Sequence, residues 1–206
     1  MVFQAMIISE RKNFLFVSNP KAATHTMYEY LAEHWGGVQH TYGPTKFHPV
    51  PGEGRYAGHY KWTIVRNPYS RAVAAWWRAV ATMPYCETYR PMVKSASFPA
   101  FCKWLAERGW VDHWSSVFPP QAERMAGIAF DSVLRLENLD DDFKALPFVN
   151  GEVPPIPSLH VGDYGDWRDW YDPDGVAAKA VREWAAVDFH TYGYPRDLDL
   201  TGRSCS

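Results

Sequence analysis

FLFVSNPKAATHTMYEYL, Phe14 to Leu31, is the stretch from which the fold of this chain is read. Phe14 to Val17 is a compact apolar run of residues that favour strands. Ser18, Asn19 and Pro20 break it, and Lys21, Ala22 and Ala23 come next. The apolar residues then change period. Met27, Tyr28, Tyr30, Leu31 and Trp35 fall near one face of a helix, which Gly36-Gly37 stop. The pattern predicts strand, tight loop, helix. Such a loop directs backbone N–H groups and the positive end of a helix dipole at one point, which suits an anion. Lys21 adds a full charge, and Thr24 and Thr26 add hydroxyl donors. The loop is read as a holder of phosphate or sulfate. It is not a Walker A loop, because Gly-x4-Gly-Lys-Ser/Thr is absent.

A second stretch of the same kind is KWTIVRNPYSRAVAAWW, Lys61 to Trp77. Trp62 to Val65 reads as a buried strand. Asn67 is a good N-cap, and Pro68 suits a first helical turn. Val73, Trp76, Trp77 and Val80 give the helix an apolar side, closed by Pro84. Arg66 is thereby expected at the carboxyl end of a strand, beside a helix N-terminus, the edge where open α/β sheets bind ligands. Arg66 and Arg71 are both suited to fork onto phosphate oxygens. Arg71, one turn into the helix, is the better candidate for a carboxylate partner instead.

The whole chain bounds these readings. Its 206 residues suit one mixed domain, 1–206, with a sizeable core. Hydrophobic residues make 47% and aromatics 16%, so the chain is globular rather than disordered. The net charge of −2 argues against a general nucleic-acid binder. Cys86, Cys102 and Cys205 lack metal spacing and read as reduced thiols, which fits a cytoplasmic setting. No apolar run approaches membrane-helix length, and the start lacks a signal-peptide pattern, so a soluble protein off the membrane is expected.

Met1 to Ile8 reads as a short edge strand or a fraying start. Gly37 to Tyr60 reads as a long loop, and GEGRYAG within it lacks dinucleotide-fingerprint spacing. Ser97 to Arg108 is expected to be an amphipathic helix, and Pro119-Pro120 to start a short one. Ser132 to Leu136 reads as a third buried strand, Asn138 to Leu146 as a short helix with three aspartates in its first turn. Pro147 to Tyr171 reads as a loop, and one last long helix runs from Asp172-Pro173 to Gly193. Alternating strands and helices imply an α/β, P-loop-like three-layer fold, with a central, mostly parallel sheet flanked by helices. Both anion-suited loops are then expected at the sheet's carboxyl edge.

With these motifs in place, the chain resembles the sulfotransferase superfamily, and most closely its carbohydrate-type branch. NPKAATHTMYEYL is similar to the family's 5′-phosphosulfate loop, Pro-Lys-x-Gly followed by three Ser/Thr positions. IVRNPYSRAVAAWW is similar to its 3′-phosphate motif, in which Val-Arg-Asp/Asn-Pro leads to a second arginine and then a serine. LRLENLDDDF and the closing VREWAAVDFHTYGY resemble later family segments. The resemblance implies a co-substrate, 3′-phosphoadenosine 5′-phosphosulfate (PAPS), leaving as 3′-phosphoadenosine 5′-phosphate (PAP), and no metal. It implies transfer of a sulfuryl group to a hydroxyl of a carbohydrate or other small-molecule acceptor. Lys21 matches the lysine on the bridging and sulfuryl oxygens. Ala22, Ala23, Thr24, His25 and Thr26 match the loop cradling the 5′-phosphate, and Arg66 the arginine on the 3′-phosphate. The family serine falls at Ala74, for which Ser70 is a substitute candidate. Ala23 replaces the loop glycine, which requires its φ to stay negative. His25 stands where a small hydroxyl residue is usual. Ser158 and His160 occupy places comparable to a late-loop family segment, and His160 is a candidate for nucleotide binding.

In-line sulfuryl transfer, by analogy with phosphoryl transfer, depends on positioning and on stabilising charge at the peripheral oxygens. The acceptor hydroxyl needs a base. His48 is the first candidate and His59 the second, Glu53 a weaker third; His59 precedes its strand and is expected on the far edge from the ligand. HExxH and CxxC metal motifs are absent. Two other readings stand beside this one: a P-loop-like nucleotide or phosphoryl-transfer enzyme, and a non-catalytic nucleotide-binding member of the same fold. The aromatic Tyr85–Trp114 region and the Gly37–Tyr60 loop are the expected surroundings of the acceptor.

Overall fold

The computed structural model describes residues 4–42, 54–79, 97–108, 117–158 and 162–200. His48, Glu53, Tyr85, Tyr89, Trp110, Trp114 and His160 lie outside the described residues. Five strands are described: β1 Gln4–Ser9, β2 Phe14–Val17, β3 Val38–Tyr42, β4 Tyr60–Val65 and β5 Ser132–Arg135. The described helices are α1 Thr24–Trp35, α2 Pro68–Trp77, α3 Phe98–Ala106, α4 Gln121–Arg124, α5 Leu139–Lys144, α6 Val176–Trp184 and α7 Ala186–Tyr192. None of them is long and apolar enough to cross a membrane. The chain forms two compact units, Met1–Arg66 with Met125–Val161, and Asn67–Arg124 with Gly162–Ser206.

The first unit is built on one sheet, in the order β3-β1-β2-β4-β5. β2 pairs parallel with β4, and β4 with β5, while β1 runs antiparallel to both β2 and β3. The sheet is therefore mixed, not mostly parallel. The reason is connection length. A turn of four residues, 10 to 13, separates β1 from β2, and so short a link reverses the chain, whereas a parallel pair needs a crossover of a dozen residues or more. β1 is also internal rather than an edge strand, because β3, within the expected long loop, pairs outside it.

Alternation along the strands sorts the core onto two faces. On one face Ile7, Phe14, Phe16, Trp62, Ile64 and Leu134 pack with Met27, Tyr30, Leu31 and Trp35 of α1 and with Phe143 of α5. On the other, Met6, Ile8, Leu15 and Val17 pack with Tyr56 and Met125. Gly36 ends α1 at φ 67°, and its N–H and that of Gly37 both reach back to the Leu31 carbonyl, the latter at 2.8 Å. Ser9 Oγ donates to the Trp35 carbonyl at 2.7 Å, tying this helix end to β1.

In the second unit α3 packs against α6, burying Phe98, Phe101, Cys102 and Leu105. Cys102 is a free, buried thiol whose pKa burial pushes up. Arg71 is fully buried, and Nη2 donates to the carbonyls of Val117 and Pro119, each at 2.9 Å. Its guanidinium lies 5.2 Å from the centre of the Trp184 ring. Asp188, also fully buried, accepts from the N–H groups of Gln121 at 2.9 Å and Ala122 at 2.7 Å, capping α4 from a distance in sequence. Burial raises the Asp188 carboxyl, and the charge of Arg71 and these hydrogen bonds oppose that rise. Arg71 is thus a packing residue and is not placed to meet a ligand. The last helix is two helices, α6 and α7, separated at Ala185 (φ −100°, ψ 23°). No breaker residue stands there; the bend accompanies the tie between Asp188 and α4.

Candidate functional site

The site starts from two neighbouring strands that run the same way. β2 pairs with β4 so that Val17 stands opposite Thr63, and Thr63 Oγ1 donates to the Val17 carbonyl at 2.8 Å. The segments leaving Val17 and Val65 therefore emerge at one edge of the sheet. They are Ser18 to Ala23 on one side and Arg66 on the other.

The first of these contains a turn closed by the Ala22 N–H on the Asn19 carbonyl at 3.1 Å. Pro20, its second residue, has φ locked near −65°, which excludes the primed turn types. Lys21, its third, has φ 71°, and that pair of values defines a type II turn. Ala23, the residue before α1, has φ 54° and ψ 24° and makes no side-chain cap. The expectation that Ala23 keeps a negative φ is corrected. The left-handed conformation is required where the resembled loop carries glycine, and alanine adopts it at a cost of roughly 1–2 kcal/mol. Lys21 carries a similar cost.

Polar contacts hold this strained segment. Asn19 is fully buried, and its Nδ2 donates to the Ile64 carbonyl of β4 at 3.0 Å. Its own carbonyl accepts from Thr24 Oγ1 at 2.8 Å as well as from Ala22. From the other strand, Arg66 Nη1 donates to the Lys21 carbonyl at 3.2 Å. The two motifs, 45 residues apart in sequence, thus touch directly. The N-terminus of α1, the backbone of Lys21 and the Arg66 guanidinium all belong to this one edge.

The other expected residues divide. Ala22 and Thr26 are buried, Ala23 and Thr24 half-buried, and His25 exposed with its ring edge-on to Tyr28 at 6.2 Å. The Thr24 hydroxyl hydrogen is directed at Asn19, so Thr24 faces into the turn through that group. Ser70 is buried in the second unit and donates from Oγ to the Asn67 carbonyl at 3.1 Å, a local helix-start bond. Ala74 is buried in that unit as well.

His59 lies just before β4, whereas Arg66 lies just after it. The strand spans roughly 17 Å, so His59 occupies the opposite edge. There it is 7% exposed, with Nε2 3.5 Å from a Glu10 carboxylate oxygen. This placement agrees with the far-edge expectation and removes His59 as a base acting beside Lys21. Among the described residues, no three His, Cys, Asp or Glu side chains form a metal-binding group.

Asn19 is the residue that the pattern of the sequence underrates. It reads there as a strand breaker before proline. Only the pairing of β2 with β4 shows that its amide has a carbonyl of the next strand to bind. No protein-family model, curated protein or solved structure matches this chain.

Proposed function

We propose that the chain is a PAPS-dependent sulfotransferase that transfers a sulfuryl group to an acceptor hydroxyl on a carbohydrate or other small molecule. The observation that carries this reading is the hydrogen bond from Arg66 to the carbonyl of Lys21. It sets the Arg66 guanidinium against the backbone of the turn that carries Lys21, beside a helix N-terminus, and a ligand with two separate anionic groups would call on both residues. The residues present fit such a nucleotide. A type II turn leading into a helix supplies N–H groups, and both residues belong to the same edge. Ala22 to Thr26, with Lys21, would hold the 5′-phosphosulfate, the loop acting chiefly through its backbone, and Arg66 the 3′-phosphate. His160 is a further candidate for a nucleotide contact.

When bound, the nucleotide supplies an activated sulfuryl group. Lys21 would neutralise the charge that gathers on the bridging and peripheral oxygens as the sulfur–oxygen bond to phosphate breaks. A base takes the acceptor proton as the new oxygen–sulfur bond forms, and His48 is the candidate retained. The test is sulfate transfer from labelled PAPS to a panel of hydroxylated acceptors, with and without magnesium. Metal-independent transfer that Lys21→Ala abolishes is expected. Magnesium-dependent phosphoryl transfer from ATP would favour a phosphoryl-transfer enzyme instead. Tight PAP binding with no transfer to any acceptor would favour a non-catalytic binder.

A further inference from the structure

We propose that Asn19 is a positioning residue that holds the Lys21 turn in its type II form, with Thr24 as its brace. This deepens the proposed function and rests on it for the identity of the ligand, but not for the geometry of the turn.

Pro20-Lys21 suits a type I turn equally well, and in type I the third residue has a negative φ that lysine adopts without strain. The two types differ by a flip of the peptide plane between the second and third residues. A flip would turn the Lys21 N–H to the other side of the turn and re-aim the residues that lead into α1. Local preference therefore pulls away from the observed form, and φ values of 71° at Lys21 and 54° at Ala23 have to be held by something else.

Asn19 is where the holding contacts meet. Its amide is anchored to the Ile64 carbonyl, and its carbonyl takes both the Ala22 N–H and the Thr24 hydroxyl. With no exposed surface, it has no water to exchange these bonds for. The Thr24 bond spans the whole strained segment, from its first residue to the first residue of α1. Arg66 then fastens the Lys21 carbonyl from the neighbouring strand. Thr24 thereby acts on the ligand through the shape of the turn, and its hydroxyl is a positioning group.

The experiment uses the full chain and compares Thr24→Val, Thr24→Ser and Asn19→Ala with the wild type. Amide hydrogen exchange over residues 19–26, PAP affinity by calorimetry and urea unfolding are measured on each. Thr24→Val is expected to speed exchange in that segment while β2 stays protected, and to weaken PAP binding about tenfold. Thr24→Ser, which keeps the hydroxyl, is expected to restore both. Asn19→Ala should have the larger effect, and Thr24→Val serves if Asn19→Ala does not fold. Ile7→Val, a core change away from the turn, is the stability control. Thr24→Val with wild-type exchange, or with an affinity loss no greater than Ile7→Val produces, would overturn the proposal. If the wild type binds no PAP, the nucleotide reading fails, and exchange alone then decides whether Asn19 and Thr24 hold the turn.

Discussion

Two strand-to-helix junctions leave neighbouring parallel strands, and they are built on opposite principles. The β4–α2 junction obeys local preference throughout. Asn67 is in the extended region (φ −48°, ψ 125°), its Oδ1 accepts the Tyr69 N–H at 2.9 Å, and Pro68 opens the helix. The β2–α1 junction breaks it repeatedly. Alanine stands at the cap with φ 54°, no side chain caps the helix, and lysine fills the turn position that glycine favours. Departures from local preference concentrate at working sites. The lesson is that the relaxed junction positions Arg66, and the strained one shapes the loop that Arg66 meets.

Lys21→Ala leaves the turn with the same left-handed demand but removes the ammonium, so turnover should fall by about 100-fold or more in a folded protein. Unchanged turnover would remove Lys21 from the mechanism. Next, Asn67→Ala deletes the cap of the relaxed junction and should cost about 1 kcal/mol, up to about 2, in urea unfolding. Ala23→Gly tests the strained side with the opposite sign. Glycine takes the observed φ freely, so stability should rise by about 1 kcal/mol. A loss of stability would show that Ala23 is not strained. Smallest is Asn67→Gly, expected to cost only a few tenths of a kcal/mol, because glycine is tolerated at an N-cap.

Much of this was legible in the sequence, and the rest was hidden for identifiable reasons. Phe14–Val17 and the helix ended by Gly36-Gly37 stand where their patterns put them, because burial and capping act locally. The mixed sheet was not legible in the same way. Met1 to Ile8 reads only as a short edge strand or a fraying start, and the neighbours of β1 depend on the four-residue turn and on β3, whose VQHTY has little apolar content. The positive φ of Lys21 and Ala23 was hidden because neither residue advertises it, as glycine would. The place of Arg71 one turn into α2 suggested a carboxylate partner; its full burial against the carbonyls of Val117 and Pro119 was not legible. The break at Ala185 was not legible either, since tertiary contact overrode a good helical sequence.

If the turn after β2 and the end of β4 together hold one ligand at two anionic points, nucleotides with one and with two anionic groups will bind differently. Calorimetric titration of the wild-type protein with PAP and with 5′-AMP, repeated on Lys21→Ala and Arg66→Ala, tests it most directly. Saturable PAP binding at least about tenfold tighter than 5′-AMP is expected, with Arg66→Ala erasing the difference and Lys21→Ala weakening both. Equal affinity for the two nucleotides, or no PAP binding at millimolar concentration by a folded protein, would contradict it.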